Sequence, residues 1–316
     1  MKRRALIAAA ALAAGAAVAQ TPGARPVRLV VPFGAGTSTD IVGRVLADAL
    51  GRQLGQAVIV DNKPGAGGTI GSDLVAKAAS DGQTLLLGTV GTHAINASLF
   101  KRLSYDPVRD FVPLAFVGAT PTLLVVPAQS PWKNLADLRA ASGDRINFAS
   151  AGNGTSGHLA GELVNARLNK SFQHVPYRDG AQALTELVAG NVQFMFYHPA
   201  AVLPHMRSGK LRALGVSSAK RSAAAPEVPT LIEQGVPGFD LVAWFMLYAP
   251  SGLGAAQRDS LREAMQQVLA KPEVREKLTA QGVELADMNG EQMVAFGAAE
   301  IAKWGEAVRR SGAQID

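Results

Sequence analysis

An α/β fold with doubly wound parallel sheets in two lobes is what this sequence predicts, and three observations carry it. Short β-branched runs alternate with stretches of helical periodicity along most of the chain. Two of those runs end in loops of Gly, Ser and Thr that open directly into a helix. Setting an N-terminal leader aside leaves about 297 of the 316 residues, more than one compact core usually holds. In such folds ligands sit near the strand C-termini.

In chain order, the first strand covers 27–32, the loop Phe33 to Asp40 follows, and an amphipathic helix starts at Ile41. A run at 58–60 leads through the turn-rich 62–68 into a helix at 70–79, and 85–88 reads as a buried strand. Further strands are expected at 114–117, 123–126, 146–149, 194–196, 213–216 and 243–248. The run at 146–149 leads through Ser150 and the loop 151–157 into a helix at 158–168. The 3.6-residue period places other helices at 135–140, 181–189, 229–234, 255–269, 272–281 and 290–311. The segments 117–126 and 239–250 suit two crossings between lobes. Lobe 1 then comprises 20–122 plus 240–316, around an inserted lobe 2 at 123–239. No repeat or low-complexity stretch stands out beyond the alanine-rich leader.

That leader has the build of a secretory signal. Lys2-Arg3-Arg4 forms its cationic region, residues 5–18 its apolar region, and Ala17-Val18-Ala19 a small-residue cleavage site before Gln20. The apolar run is shorter than the roughly 20 residues that span a bilayer. Arg3-Arg4 leaves the twin-arginine route open. The mature protein is therefore expected in the periplasm. With no cysteine it carries no disulfide, thiol chemistry or lipid-anchored cysteine. Loss of Lys2, Arg3 and Arg4 lowers the formal charge from +6 to +3. The remaining basic residues are scattered, without a stripe interleaved with aromatics, so nucleic acid is not an expected partner.

The two Gly/Ser/Thr loops are Phe33-Gly34-Ala35-Gly36-Thr37-Ser38-Thr39-Asp40 and Ala151-Gly152-Asn153-Gly154-Thr155-Ser156-Gly157. Each would leave the first helical N–H groups unpaired, bring backbone close to a ligand and add hydroxyls, where the helix dipole places partial positive charge. Two such termini face to face would clamp an anion with acidic ends. Ordinary N-capping by Ser38, Thr39 or Thr155 is the plainer use of the same residues. Asp40 reads as a dipole partner and His158 as a structural or capping residue.

The order of several short motifs resembles a known family. They include Val31-Pro32-Phe33-Gly34-Ala35-Gly36 with Asp40, Asp61-Asn62-Lys63-Pro64-Gly65-Ala66-Gly67-Gly68, and Ser80-Asp81-Gly82. They continue with Asn147-Phe148-Ala149-Ser150, His158-Leu159-Ala160-Gly161-Glu162, His174-Val175-Pro176-Tyr177-Arg178, Ser208-Gly209-Lys210-Leu211 and Val228-Pro229-Thr230-Leu231. Together they resemble the extracytoplasmic solute receptors of tripartite tricarboxylate transporters, the Bug-type receptors, over residues 27–311. The resemblance implies a periplasmic-binding-protein-like Venus flytrap of two α/β lobes. Such a receptor, expected to be monomeric, closes on a small carboxylate and delivers it to a membrane permease, without a cofactor. Carried over residue by residue, lobe 1 contributes Phe33, Gly36, Thr37 and Ser38, with Thr89 and His93. Lobe 2 contributes Ser150, Gly154, Thr155 and Ser156, with Tyr177 and Gly180 near the cleft floor. Three departures mark this chain. Thr37 replaces a common glycine, Gln193 stands where an acidic residue is frequent, and Phe196-Tyr197-His198-Pro199 is unusually aromatic. Tyr197 and His198 are thus candidates to wall the distal part of the ligand.

Enzyme chemistry has little support. Neither Gly34–Thr39 nor Gly65–Ile70 completes a dinucleotide fingerprint, and no Gly-Lys-Ser/Thr follows either loop. A hydrolase built on Ser156 with His158 or His93 is the alternative, but Gly154-Thr155-Ser156-Gly157-His158 is not a nucleophile elbow. The five histidines, His93, His158, His174, His198 and His205, show no metal-ligand spacing with carboxylates. A ligand-responsive partner of a periplasmic sensor domain would share the receptor's site. Di- and tricarboxylates, amino acids and aromatic acids all suit the clamp.

Overall fold

The computed structural model describes residues 25–142, 146–311, 313 and 315. The leader at 1–19 and the cleavage site before Gln20 lie outside the described residues. Among those described, no helix is long and apolar enough to cross a membrane.

Two five-stranded sheets form the frame. The first contains β1 (Val27–Val31), β2 (Val58–Asn62), β3 (Thr84–Thr89), β4 (Phe111–Pro121) and β10 (Val242–Pro250), in the order β2-β1-β3-β10-β4. The second contains β5 (Leu123–Pro127), β6 (Asn147–Ser150), β7 (Gln173–Pro176), β8 (Phe194–Tyr197) and β9 (Leu211–Val216), in the order β7-β6-β8-β5-β9. The inner strands are buried on both faces, the edge strands β2 and β7 are not, and a period of two is visible in the core. Val27, Leu29, Val31, Leu85 and Leu87 share one cluster, while Val30 and Leu86 point into another. In the second sheet Leu123, Val125 and Met195 part in the same way from Leu124, Val126, Phe194 and Phe196.

Both sheets are mixed, not wholly parallel. β10 runs antiparallel to β3 and β4, and β5 runs antiparallel to β8 and β9. These are strands at the two passages of chain between sheets, and a chain entering from the opposite sheet arrives in the opposite sense. β4 ends at Pro121 and β5 begins at Leu123, so one passage is nearly a single strand. Ser217 ties the passages together: its buried hydroxyl donates to the Leu241 carbonyl at 2.6 Å and accepts from the Thr122 amide at 2.9 Å.

Helices α1 (Ser38–Leu54), α2 (Thr69–Ala76), α4 (Leu135–Ala140), α5 (Ser156–Leu168), α6 (Gly180–Val188) and α7 (Pro199–Arg207) cover the sheets. A π-helical turn at Gly91–Ile95 runs into the short α3 (Asn96–Leu99). The chain ends with α8 (Ala255–Ala270), α9 (Pro272–Ala280) and α10 (Gly290–Ser311), the last buried through Met293, Trp304 and Val308. The helix expected at 229–234 is a turn. Thr230 Oγ1 accepts from the Glu233 amide, Glu233 Oε2 accepts from the Thr230 amide, and Gly235 at φ +83° ends the turn. β7 and α7 were not expected. β7 is a half-exposed edge strand without apolar alternation, and α7 carries Pro204 within it.

Candidate functional site

Both loops turn their helix starts into one enclosed cavity between the sheets. Phe33, Thr37, Ser38, Thr39 and Thr89 line it from one side, and Thr155, Ser156, Tyr197 and His198 from the other. Val90, Gly91, Ala151, Gly157 and Phe196 fill the gaps, and Ala243, Trp244 and Phe245 of β10 close the back.

The loops are copies of one device, the sequence Gly-X-Gly-Thr-Ser, a repeat of five residues too short to stand out along the chain. In the first, Thr37 caps α1: its hydroxyl donates to the Gly34 carbonyl at 2.7 Å and accepts from the Asp40 amide at 3.3 Å. In the second, Thr155 caps α5: its hydroxyl donates to the Gly152 carbonyl at 2.8 Å and accepts from the His158 amide at 3.4 Å. Gly36 and Gly154 stand at φ +78° and +79°, the left-handed turn that brings each threonine into place. The Gly36 amide donates to Asp40 Oδ2 at 2.9 Å, and the Gly154 amide to His158 Nδ1 at 3.3 Å. Each capping hydroxyl is therefore spent on its own loop. What faces the cavity is the first helical amides, Ser38 and Thr39 or Ser156 and Gly157, which have no intrahelical acceptor, together with the two serine hydroxyls.

Those serines differ. Ser38 is 1% exposed, and its hydroxyl and amide both face the buried Tyr197 hydroxyl. Ser156 Oγ lies 3.3 Å from His198 Nε2, and His198 Nδ1 lies 3.3 Å from the Pro121 carbonyl. A carbonyl only accepts, so Nδ1 carries the proton and Nε2 accepts from Ser156. Burial pushes the imidazole of His198 down to about 4, only partly offset by Pro121, so it is neutral near pH 7. Burial likewise drives the Tyr197 hydroxyl far above its ordinary range, with the Ser38 amide opposing. Asp40 is pushed up by burial, yet hydrogen bonds from Arg44, the Gly36 amide and Asn62 outweigh that and hold it below the usual carboxylate range.

Several expected site residues stand elsewhere. His93 is buried behind the wall, stacked on Tyr248 at 4.0 Å and edge-on to Phe111, with Nδ1 2.8 Å from Thr92 Oγ1. The π-helical turn swings it into the core. Ser150 is buried under its loop, bonded to Gly152 and 2.7 Å from His174 Nε2. Gly36 is exposed and Gly154 packs against Asn96, so both shape their loops without lining the cavity. Gly180 faces the Tyr197 hydroxyl from behind, and Tyr177 is half-buried outside the lining.

The reading of the histidines also needs correction. His158, Glu162 and His174 offer ligand atoms within 4.8 Å of one another, the first two through i,i+4 spacing on α5 and the third across from β7. Their imidazoles stack, with centroids 4.2 Å apart and planes at 21°, so the in-plane lone pairs run side by side and do not converge on one ion. His158 Nδ1 is already committed to the Gly154 amide. Nor does His158 or His93 reach Ser156 as hydrolase chemistry required; the histidine beside that hydroxyl is His198.

The chain matches the sequence profile of the tripartite tricarboxylate transporter family receptor over residues 42–313. It belongs to that family. Protein BugT of Bordetella pertussis is 38% identical over 302 residues, covering 94% of this chain and 92% of the relative. Rpa4515 of R. palustris, solved with adipate, superposes with a TM-score of 0.89 at 33% identity, over 92% of this chain and 98% of the other. MatC from Rhodopseudomonas palustris, with bound malate, gives 0.85 at 34% identity over 90% and 98%.

Proposed function

We propose that this protein is a periplasmic receptor that captures a small carboxylate between its lobes and delivers it to the membrane permease of a tripartite tricarboxylate transporter. In this reading the leader is removed before Gln20, the mature chain acts as a monomer, and no chemistry is done on the ligand. Lobe 1 is 20–122 plus 240–316 and lobe 2 is 123–239. The observation that carries it is the pair of Gly-X-Gly-Thr-Ser helix starts opening into one cavity, where helix-start amides and the serine hydroxyls suit an anion. The adipate- and malate-bound relatives support the carboxylate class.

A thermal-shift screen of aliphatic and aromatic carboxylates on the mature chain tests this. A true ligand at 100 times its Kd raises stability by roughly 2.7 kcal/mol. A screen in which none of them shifts the transition overturns the carboxylate assignment.

One observation favours a second reading. Ser156 Oγ beside a neutral His198, itself oriented by a backbone carbonyl, has the outline of a nucleophile and base. Covalent labelling of Ser156 by a fluorophosphonate would support hydrolase activity, and the receptor reading expects none.

A further inference from the structure

His198 is the one imidazole among the cavity-lining residues, at the end of the aromatic stretch Phe196-Tyr197-His198. Its tautomer is fixed by the Pro121 carbonyl, so what it presents towards Ser156 is a lone pair. Among the described residues, the proton donor it has there is the Ser156 hydroxyl. That hydroxyl sits at the first position of α5, beside the amides of Ser156 and Gly157.

A carboxylate arriving at this helix start takes the serine proton, because a hydrogen bond to a charged acceptor is stronger than one to a neutral imidazole. His198 Nε2 is then a buried acceptor with no donor. Leaving it so costs the full desolvation of the group, whereas a ligand that brings its own donor removes that cost. Between the two helix starts, Phe33, Val90, Phe196, Trp244 and Phe245 give the wall an apolar stretch.

We propose that His198 is a specificity-determining residue that selects carboxylates carrying a hydroxyl or N–H donor within two or three bonds of the carboxylate. This rests on the carboxylate-receptor reading and narrows it. The donor points at His198 Nε2 while the carboxylate occupies the start of α5. A ligand without the donor leaves either the imidazole or the serine unsatisfied.

Isothermal calorimetry on the mature chain with matched pairs tests it: 3-phenylpropanoate against 3-phenyllactate, benzoate against 2-hydroxybenzoate, and succinate against malate. In each pair that binds, the hydroxy acid should be the tighter by about 5- to 150-fold, the range that an orphaned buried acceptor implies. His198→Phe, which keeps a ring and deletes the acceptor, should erase that preference by improving the deoxy acid relative to its partner. The wild-type comparison stands even if the variant does not fold. Deoxy acids binding as well as their hydroxy partners would overturn the selection, and so would a preference that persists in His198→Phe. If no member of any pair binds, while other carboxylates stabilise the protein, the donor requirement is again wrong and the receptor reading survives. If no carboxylate of any kind binds, both fall together.

Discussion

At the third helical position of its cleft helix, lobe 1 places Asp40, whereas lobe 2 places His158 in the equivalent position. Both accept the same amide, Gly36 in one loop and Gly154 in the other. Asp40 is an anion held by Arg44 at 2.9 Å and by Asn62 at 3.0 Å. His158 is neutral, because burial pushes it down to about 4, and Glu162 stands one turn further on. The lobe 1 helix dipole thus already faces a carboxylate, and the Tyr197 hydroxyl adds to its first amide. The lobe 2 terminus has no such charge. The same scaffold therefore supplies one furnished and one open helix start, and a ligand carboxylate is better placed in lobe 2.

Acid offers the largest way to separate the lobes. Lobe 2 holds the buried His158 and the half-buried His198, both at about 4, the half-buried His174 at about 3 and His205, also lowered, where lobe 1 holds only the buried His93 at about 3. Each native value lies below the 6.5 of an unfolded histidine, so between pH 6.5 and about 4 the unfolded chain binds protons that the native chain refuses. Stability falls through that window by up to about 1.4 kcal/mol per pH unit for each group, and it is level above it. Asp40 acts in a lower range, since its depressed value withdraws stability only below the ordinary carboxylate pKa. Hydrogen exchange at pH 7 and pH 5 should therefore show β6, β7 and α5 losing protection before β1 and α1. Equal losses in the two lobes would remove the asymmetry.

Closure comes next in size. The loops meet backbone to backbone, and a Cβ on Gly91 would lie 2.9 Å from the Gly154 carbonyl across the seam. On Gly154 a Cβ would strike the Asn96 side chain, at a positive φ as well. Overpacking costs about 1–3 kcal/mol and a left-handed non-glycine residue roughly 1–2 more. Gly154→Ala should weaken ligand binding the most, and Gly91→Ala by about 5- to 150-fold. Small-angle scattering should show the wild-type radius of gyration shrinking with saturating ligand and the variants staying wide. An unchanged wild-type radius with confirmed binding would sink the hinge.

The serines sharpen the same comparison. Ser156→Ala should lose a hydrogen bond to the carboxylate, about 1.5–3 kcal/mol or roughly 10- to 150-fold in Kd. Ser38→Ala, beside an already furnished terminus, should cost less. The reverse ranking by calorimetry would move the carboxylate to lobe 1.

Much of this frame is legible in the sequence because buried strands write a period of two in Val, Leu and Phe. Runs such as Val27–Val31 and Leu123–Pro127 need no tertiary help to be read. Thr37, Ser38, Thr155 and Ser156 stand out because Gly-Thr-Ser directly after a strand has few other uses. Trp244 and Phe245 could not be found this way. They reach the cavity from a strand that returns long after both loops, and an aromatic in a strand looks like core. His93 misled for the opposite reason: it follows a strand as a ligand residue would, but a π-helical turn carries it inward. The repeat of the two loops is only five residues long, and it means something only once two sheets present it to one space. Ser217, which ties the passages between lobes, carries no local signal at all.

The smallest effect distinguishes the threonines from the serines, since the family resemblance implies a ligand contact for Thr37 and Thr155 as much as for Ser38 and Ser156. Both threonine hydroxyls already donate to a loop carbonyl and accept a helical amide, so neither has a proton to offer a ligand. Thr37→Ala and Thr155→Ala should each remove an N-cap, costing about 1 kcal/mol of stability and lowering Tm, while Kd changes little. The two losses should match, because the two caps are built alike. Arg178, exposed and outside the cavity lining, is the control, and Arg178→Ala should alter neither quantity. If Arg178→Ala abolishes binding while the serine variants stay silent, an ion pair holds the ligand and the paired helix starts are only caps.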